Sequence, residues 1–213
     1  MARFQRIETS EYLKLSPDDL CYYIGEYTAR GGYGVSETNQ QIHNLKKRPT
    51  SPAGQLHWKN EAIGYWARKL AAHLNLEAAS RLITIVPAPC SKPADHPEYD
   101  PRMDRICDLL RQREPRLDIR PLLRTPRARP AQHEGDRMSI ADLRNSMEID
   151  LAHLAPALRA TIIVVDDVFT QGGTFKAMQS LLTELPRVDE VRGIFLAKTV
   201  WPPIDFADLL DDE

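Results

Sequence analysis

The residues best suited to chemistry lie between positions 161 and 175, where two carboxylates precede a turn rich in glycine and hydroxyl groups. Asp166 and Asp167 follow an apolar run, and the turn after them reads Thr170-Gln171-Gly172-Gly173-Thr174. Glycines let backbone N–H groups approach an anion closely, and a helix that begins in such a turn offers unpaired N–H groups at its positive end. These residues predict a binding site for a phosphate monoester.

The two aspartates predict a second part of the same site. Carboxylates repel phosphate, so Asp166 and Asp167 are better placed to accept hydrogen bonds from sugar hydroxyls or to hold the waters of a bound Mg²⁺. A phosphate at one end and a diol at the other describe a ribose 5-phosphate. The alternative is an ordinary strand–turn–helix unit in which Asp and Gly serve only as turn residues.

The elements that position these residues can be predicted from the apolar pattern. The run Ile162–Val165 is apolar on both faces, as in a central parallel strand. Strands alternating with helices predict a parallel sheet whose ligands lie at the carboxyl ends of the strands. Ser16-Pro17-Asp18-Asp19 predicts the start of a helix. The further strands are predicted at 81–86, 117–123, 147–149 and 191–197, and the further helices at 57–75, 101–113 and 175–185.

The stretch Val164-Val165-Asp166-Asp167-Val168-Phe169-Thr170-Gln171-Gly172-Gly173-Thr174 resembles the phosphoribosyl-pyrophosphate (PRPP) motif of type I phosphoribosyltransferases. Gln171 departs from the small residue usual in that family. The resemblance implies an α/β fold with a central parallel sheet of about five strands, helices on both faces and a small hood. Residues 1–56 are then the hood, 57–213 the core, about 124–139 a lid, and 202–213 a C-terminal tail that could add to the hood.

The resemblance also implies a reaction: transfer of ribose 5-phosphate from PRPP to a nitrogen of a nucleobase-like acceptor, with release of pyrophosphate and with Mg²⁺ bridging pyrophosphate and ribose. Asp166 and Asp167 are then the catalytic and metal-facing acids. Thr170 differs from the acidic residue usual in 6-oxopurine enzymes, which argues against those bases. The remaining implied residues are Cys90, Ser91 and Lys92 for pyrophosphate, Arg127, Arg129 and Arg137 in the lid, and Lys198 and Trp201 for the acceptor.

Each of these assignments has a plainer alternative. The loop 87–93 could be a rigid proline turn, the arginines a solvated basic face, and Lys198 with Trp201 a strand-end lysine beside a packed ring. A non-catalytic PRPP or nucleotide sensor of the same fold is the main rival function. Residues 102–129 hold nine arginines and four acids. No aromatic residues interleave with these arginines, so a nucleic-acid partner is not expected.

The amino-acid composition limits the other classes of function and location that the chain could have. The chain has 213 residues, 42% of them hydrophobic, and a net charge of −2, so no global field recruits nucleic acid or membrane. Cys21, Cys90 and Cys107 form no metal-spaced pair and predict a reducing, cytoplasmic setting. Neither a signal peptide nor a membrane span is expected. The family resemblance implies a homodimer.

Overall fold

A computed structural model describes residues 2–128 and 138–202. Arg127 of the predicted lid lies inside these ranges, whereas Arg129, Arg137 and residues 203–213 lie outside them. The described strands are β1 (Gln5–Arg6), β2 (Cys21–Thr28), β3 (Ile83–Pro87), β4 (Asp118–Ile119), β5 (Leu123–Arg124), β6 (Glu148–Ile149), β7 (Thr161–Phe169) and β8 (Glu190–Val200). The α-helices are α1 (Glu37–Leu45), α2 (Ala53–His73), α3 (Leu76–Leu82), α4 (Arg102–Arg113), α5 (Ile140–Asn145) and α6 (Gly173–Leu182).

The main sheet is mixed but mostly parallel. Within the described ranges its strand order is β1-β2-β8-β7-β3-β4. β1 pairs antiparallel with β2 at one edge, and the other four pairings are parallel. β5 and β6 form a separate antiparallel pair. The prediction of an α/β fold is therefore confirmed, with a mostly parallel mixed sheet of six strands where a parallel sheet of about five was predicted.

Strand β7 lies in the middle of the sheet because both of its faces are apolar. Ile162 and Val164 belong to one buried cluster, which also contains Phe175 and Leu182 from α6. The alternate residue Val165 belongs to a second buried cluster, which is built largely from α2 and α4. Since successive residues of a strand face opposite sides, helices cover both faces of the sheet. The first exposed residue after β7 is Thr170, at the start of the glycine turn.

The N-terminal segment differs from the predicted hood, because β1 and β2 belong to the main sheet. β2 lies beside β8 in parallel register, with Cys21 paired to Gly193 and Thr28 to Val200. The physical reason is its buried alternation, in which Cys21 and Tyr23 are almost fully enclosed. Burying those side chains against the sheet excludes their apolar surface from water, which a separate small hood could do less completely.

Two local predictions were wrong. Residues 16–19 form a turn and not a helix start, and the Asp19 carboxylate accepts from the Ser16 N–H at 2.6 Å. The strand predicted at 117–123 is interrupted, so β4 and β5 belong to different sheets. Pro121 lies in the interruption, where a residue without an N–H cannot support a continuous ladder.

Candidate functional site

The turn between β7 and α6 has the geometry of an anion cradle. Gly172 has a φ of +79°, the left-handed region, and immediately precedes the helix. A Cβ added there would lie 2.8 Å from Leu15 Cδ2, so the position accepts only glycine without rearrangement. Because α6 begins at Gly173, its first N–H groups have no partner within the helix and face the turn.

This turn lines a small pocket together with one of the two predicted acids. All five predicted phosphate residues, Thr170 to Thr174, line the pocket with Asp166, Lys14 and the rings of Phe169 and Phe195. Its volume is about 30 Å³, more than one buried water needs and suited to a single small group. The structure therefore brings the predicted phosphate residues and Asp166 to one place.

Asp166 is a partly buried carboxylate, and few neighbouring groups offset the cost of burying its charge. Burial, and then the neighbouring charge of Asp167, raise the pKa of the Asp166 carboxyl above its usual value. Its Oδ1 accepts a hydrogen bond from the Asp167 N–H at 2.7 Å. The charged form of such a carboxylate is stabilised by a ligand that donates hydrogen bonds to it or that carries positive charge.

Asp167 lies in a different environment from the one predicted for it. It is absent from the lining of the pocket and is almost fully buried. Its Oδ2 accepts from Arg102 Nη2 at 2.6 Å and from Arg102 Nε at 3.0 Å, and its Oδ1 lies 3.6 Å from Lys46 Nζ. Burial opposes ionisation, but the charges of Lys46 and Arg102 outweigh it and lower the pKa of Asp167.

These ion pairs belong to a closed network of five charges: Lys46, Lys59, Asp100, Arg102 and Asp167. Arg102 Nη1 also donates to Asp100 Oδ2 at 2.7 Å, and buried Lys59 donates to the same oxygen at 2.7 Å. Lys59 further donates to the carbonyls on both sides of Lys46, those of Leu45 and Lys47, at 2.6 and 2.8 Å. Lys59 therefore fixes the backbone that carries Lys46, which closes the network.

The cover over the glycine turn is a short N-terminal segment, residues 12–19, which we call the N-terminal turn. The Tyr12 ring packs edge-on against Phe169, with 4.9 Å between ring centroids. Asp19 accepts from Lys176 Nζ at 2.9 Å and from Gln179 Nε2 at 2.9 Å, both on α6. The N-terminal turn is thus fastened to the helix whose first residues form the cradle.

The predicted pyrophosphate residues follow β3, at the same edge of the sheet but in another cavity. Cys90 and Lys92 line a cavity of about 570 Å³ together with Thr125 and Asp150. Cys90 Sγ accepts from the N–H groups of Lys92 and Asp100, both at 3.4 Å. Ser91 is partly exposed within this loop. The structure therefore places these residues beside the glycine-turn pocket and not inside it.

Neither predicted acceptor residue reaches the glycine-turn pocket, and the two face different partners. Lys198 Nζ lies 3.7 Å from Glu11 Oε2 and 5.2 Å from the centre of the Tyr23 ring. Trp201 is 57% exposed, and the Arg30 guanidinium lies 5.7 Å from its ring centre. Arg127 of the predicted lid is exposed.

Among the described residues, no three His, Cys, Asp or Glu side chains are grouped closely enough to chelate an ion. Asp167 already faces two cations, which oppose a third. Asp166 alone suits an ion that arrives on a ligand's own oxygens. Over the same ranges, no helix has the length and apolar character that crossing a bilayer requires.

Sequence reasoning missed four cations or acids that shape the site: Lys14, Lys46, Asp100 and Arg102. A signal was available for Arg102, because it follows Pro101 at the start of a predicted helix. A cation at the positive end of a helix dipole is unfavourable unless an acid compensates it. Lys14 offered no such signal, since its role depends on how the N-terminal turn folds over α6.

Comparison with known proteins finds neither a family model that matches the chain nor a characterised protein with a significant sequence match.

Proposed function

We propose that this chain is a phosphoribosyltransferase that transfers ribose 5-phosphate from PRPP to a nitrogen of a nucleobase-like acceptor and releases pyrophosphate. The observation that carries the proposal is the shared pocket of Asp166 and the glycine turn, at the carboxyl end of a buried parallel strand. That edge is where open α/β sheets bind ligands. The type I phosphoribosyltransferase fold is part of the same proposal.

The phosphate of the ligand occupies the turn in this proposal. The first N–H groups of α6 and the hydroxyls of Thr170 and Thr174 supply donors, and the helix dipole favours negative charge there. The pocket that the turn lines is small, about 30 Å³, and the proposal places a single phosphate group in it. Fixing the phosphate end of the sugar positions the ribose ring over Asp166. Binding thereby removes most of the translational and rotational freedom that the ribose would otherwise lose on reaching the transition state.

Asp166 acts on the ribose. When the bond from C1 to the pyrophosphate oxygen breaks, the leaving pyrophosphate keeps the electron pair and the sugar ring becomes positive. The Asp166 carboxylate stabilises that charge and accepts from a ribose hydroxyl. The acceptor nitrogen then forms its bond to C1 and gives its proton to solvent. Asp166 would hold a bound Mg²⁺ through water or a ribose hydroxyl, and the ion would supply positive charge that stabilises the leaving pyrophosphate.

The remaining parts of the proposal keep the roles that the resemblance implies. Cys90, Ser91 and Lys92 follow the neighbouring strand β3, next to β7 in the sheet, and would contact the pyrophosphate. Lys198 lies near the carboxyl end of β8, on the other side of β7, and Trp201 follows that strand directly. Both would contact the acceptor. A homodimer is proposed on the resemblance alone, and sedimentation of the purified chain tests it.

Two measurements test the proposal: binding of PRPP, and then catalytic turnover with candidate acceptors. Isothermal titration with PRPP and Mg²⁺ should show binding, and a screen of nucleobases should find pyrophosphate release with at least one. Gly173→Ala is the matched variant: its added methyl would lie 3.1 Å from Lys14 Nζ and 3.6 Å from Leu143 Cδ1, so it fills the cradle without backbone strain. PRPP binding should weaken at least about tenfold in this variant. Equal binding by both proteins would remove the phosphate assignment.

A non-catalytic PRPP sensor is the second candidate, and the ion pairs of Asp167 favour it. Arg102 and Lys46 occupy both oxygens of that carboxylate, so only Asp166 is available to the ligand in this state. The same screen separates the two functions. Tight PRPP binding without pyrophosphate release in any mixture supports the sensor, whereas release with one acceptor supports the enzyme.

A further inference from the structure

Lys14 lies inside the glycine-turn pocket although nothing in the PRPP-type motif includes it. Its ammonium nitrogen is 3.1 Å from the position that a Cβ at Gly173 would occupy, and its Cδ is 3.4 Å from the same point. The residue lines the pocket with Thr170 to Thr174 and Asp166. A full positive charge therefore stands directly over the first residue of α6.

The position of Lys14 is imposed by its neighbours along the chain. Leu15 packs on Gly172, with its Cδ2 2.8 Å from the point where a methyl group on that glycine would lie. On the other side, Asp19 is 3% exposed and is held by Lys176 and Gln179 of α6. Lys14 is thus carried by a turn that is fastened to α6 downstream and packed against the cradle beside it.

An ammonium group over a helix N-terminus is unfavourable in the absence of an anion, because the dipole and the lysine have the same sign. A phosphate monoester in the pocket makes this position of the lysine favourable. It carries close to two negative charges at neutral pH and accepts hydrogen bonds both from the lysine and from the N–H groups of the helix. Its third terminal oxygen can accept from Lys14 while the others accept from the turn.

We propose that Lys14 is a phosphate-binding residue and that the N-terminal turn, residues 12–19, forms one wall of the site and limits it to a single phosphate monoester. This inference rests on the proposed function and deepens it. The pocket that Lys14 lines is small, about 30 Å³, and Leu15 packs on Gly172 beside it. A pyrophosphate should therefore be a poorer ligand of the glycine turn than a single phosphate group.

The test uses ribose 5-phosphate as the probe, with ribose and pyrophosphate for comparison. Titration calorimetry compares the full chain with Lys14→Ala and with Lys14→Arg, which keeps the charge. Lys69→Ala is the control, because Lys69 is also partly exposed but lies on α2, 5.2 Å from the Tyr65 ring centre. Loss of one charge-assisted hydrogen bond should weaken ribose 5-phosphate binding about 10- to 100-fold in Lys14→Ala. Lys14→Arg should recover most of it.

A second measurement does not depend on the variant folding well. Amine acylation of the unmodified chain, followed by peptide mass spectrometry, should show that ribose 5-phosphate protects Lys14 at least about fivefold. Lys69 should react equally with and without the ligand, and ribose should protect neither.

The possible results distinguish failure of the Lys14 assignment from failure of the proposed function on which it rests. If the full chain binds ribose 5-phosphate but Lys14→Ala binds it equally well and Lys14 is not protected, the inference is wrong and the proposed function stands. Protection of Lys14 by pyrophosphate as strong as that by ribose 5-phosphate overturns the single-phosphate limit. If the full chain binds neither ribose 5-phosphate nor PRPP, the proposed function fails and takes the inference with it.

Discussion

Asp166 and Asp167 are neighbours in sequence with opposite electrostatic environments. Burial raises the pKa of Asp166, whereas Lys46 and Arg102 outweigh the burial of Asp167 and lower its pKa. A pair of titratable groups driven apart in this way is frequent at functional sites. The fold stabilises the charged form of Asp167. Burial destabilises the charged form of Asp166, and a bound ligand can offset that cost.

Asp166→Asn should raise the free energy of unfolding at pH 7 by about 1–2 kcal/mol, since it removes a poorly solvated charge. The same substitution should abolish the proposed turnover. The native pKa is raised, so the wild-type chain loses stability as pH rises from the ordinary carboxyl value through the native one. The advantage of the variant should therefore grow over that window and shrink at lower pH. Urea unfolding of both proteins at pH 4 and pH 7 measures this.

Asp167→Asn is the matched comparison and should behave in the opposite way. It removes the carboxylate that Arg102 and Lys46 share and leaves Arg102 paired with Asp100 alone, so the free energy of unfolding should fall by about 3 kcal/mol at pH 7. Because the native pKa of Asp167 is lowered, its contribution is present above the ordinary carboxyl pKa and is lost as pH falls through the lowered value. Equal effects of the two substitutions would contradict the separation of their roles.

Lys59 is the residue on which the charge network depends. It is 4% exposed and makes three hydrogen bonds, two of which hold the carbonyls flanking Lys46. Lys59→Met should lower the free energy of unfolding by about 3 kcal/mol, because it leaves a buried carboxylate and two carbonyls short of a donor. Lys69→Met should change it by less than about 0.5 kcal/mol. Guanidinium unfolding of the three proteins measures the difference, and a Lys59 effect as small as the control would show that the network adds little.

At the scale of elements, the two glycines of the turn differ although they are adjacent. Gly172 has a positive φ and touches Leu15, whereas the nearest atom to a methyl at Gly173 is the mobile end of Lys14. Gly172→Ala should therefore cost about 1–3 kcal/mol of stability, and Gly173→Ala less than about 1 kcal/mol. Thermal unfolding of both variants measures this contrast. An equal loss in both would mean that the turn is not built as described.

Elements with local signals were predictable, and those that depend on distant partners were not. β7, α6 and α4 follow from an apolar run, a glycine turn and helical periodicity, which are all short-range patterns. The Arg102–Asp167 contact joins residues 65 positions apart, and Asp19 reaches α6 across 157 positions. No spacing in the sequence encodes such pairs. The same reason explains why Asp167 was predicted to face the ligand together with Asp166.

For the whole molecule, the chief consequence of the structure is that residues 1–56 are part of the core. Ile7, Cys21 and Tyr23 belong to the same buried cluster as Val164 and Phe175. A hood could be removed and leave a folded core behind, whereas a strand inside a sheet could not. Removing β2 would expose the backbone of β8 along seven paired positions and open the apolar cluster beneath it.

The last prediction follows from this arrangement: a fragment spanning residues 57–213 should not fold as a stable monomer. The exposed edge of β8 and the uncovered apolar surface should cause association or loss of structure, because unpaired edge strands add further strands from other chains. Size-exclusion chromatography and circular dichroism, with the full chain as reference, measure both effects. A monodisperse fragment with cooperative thermal unfolding would contradict the prediction. It would show that β1 and β2 are an accessory layer on a core that is complete without them, and the role of Lys14 in the proposed phosphate site would then have to be tested separately from the fold.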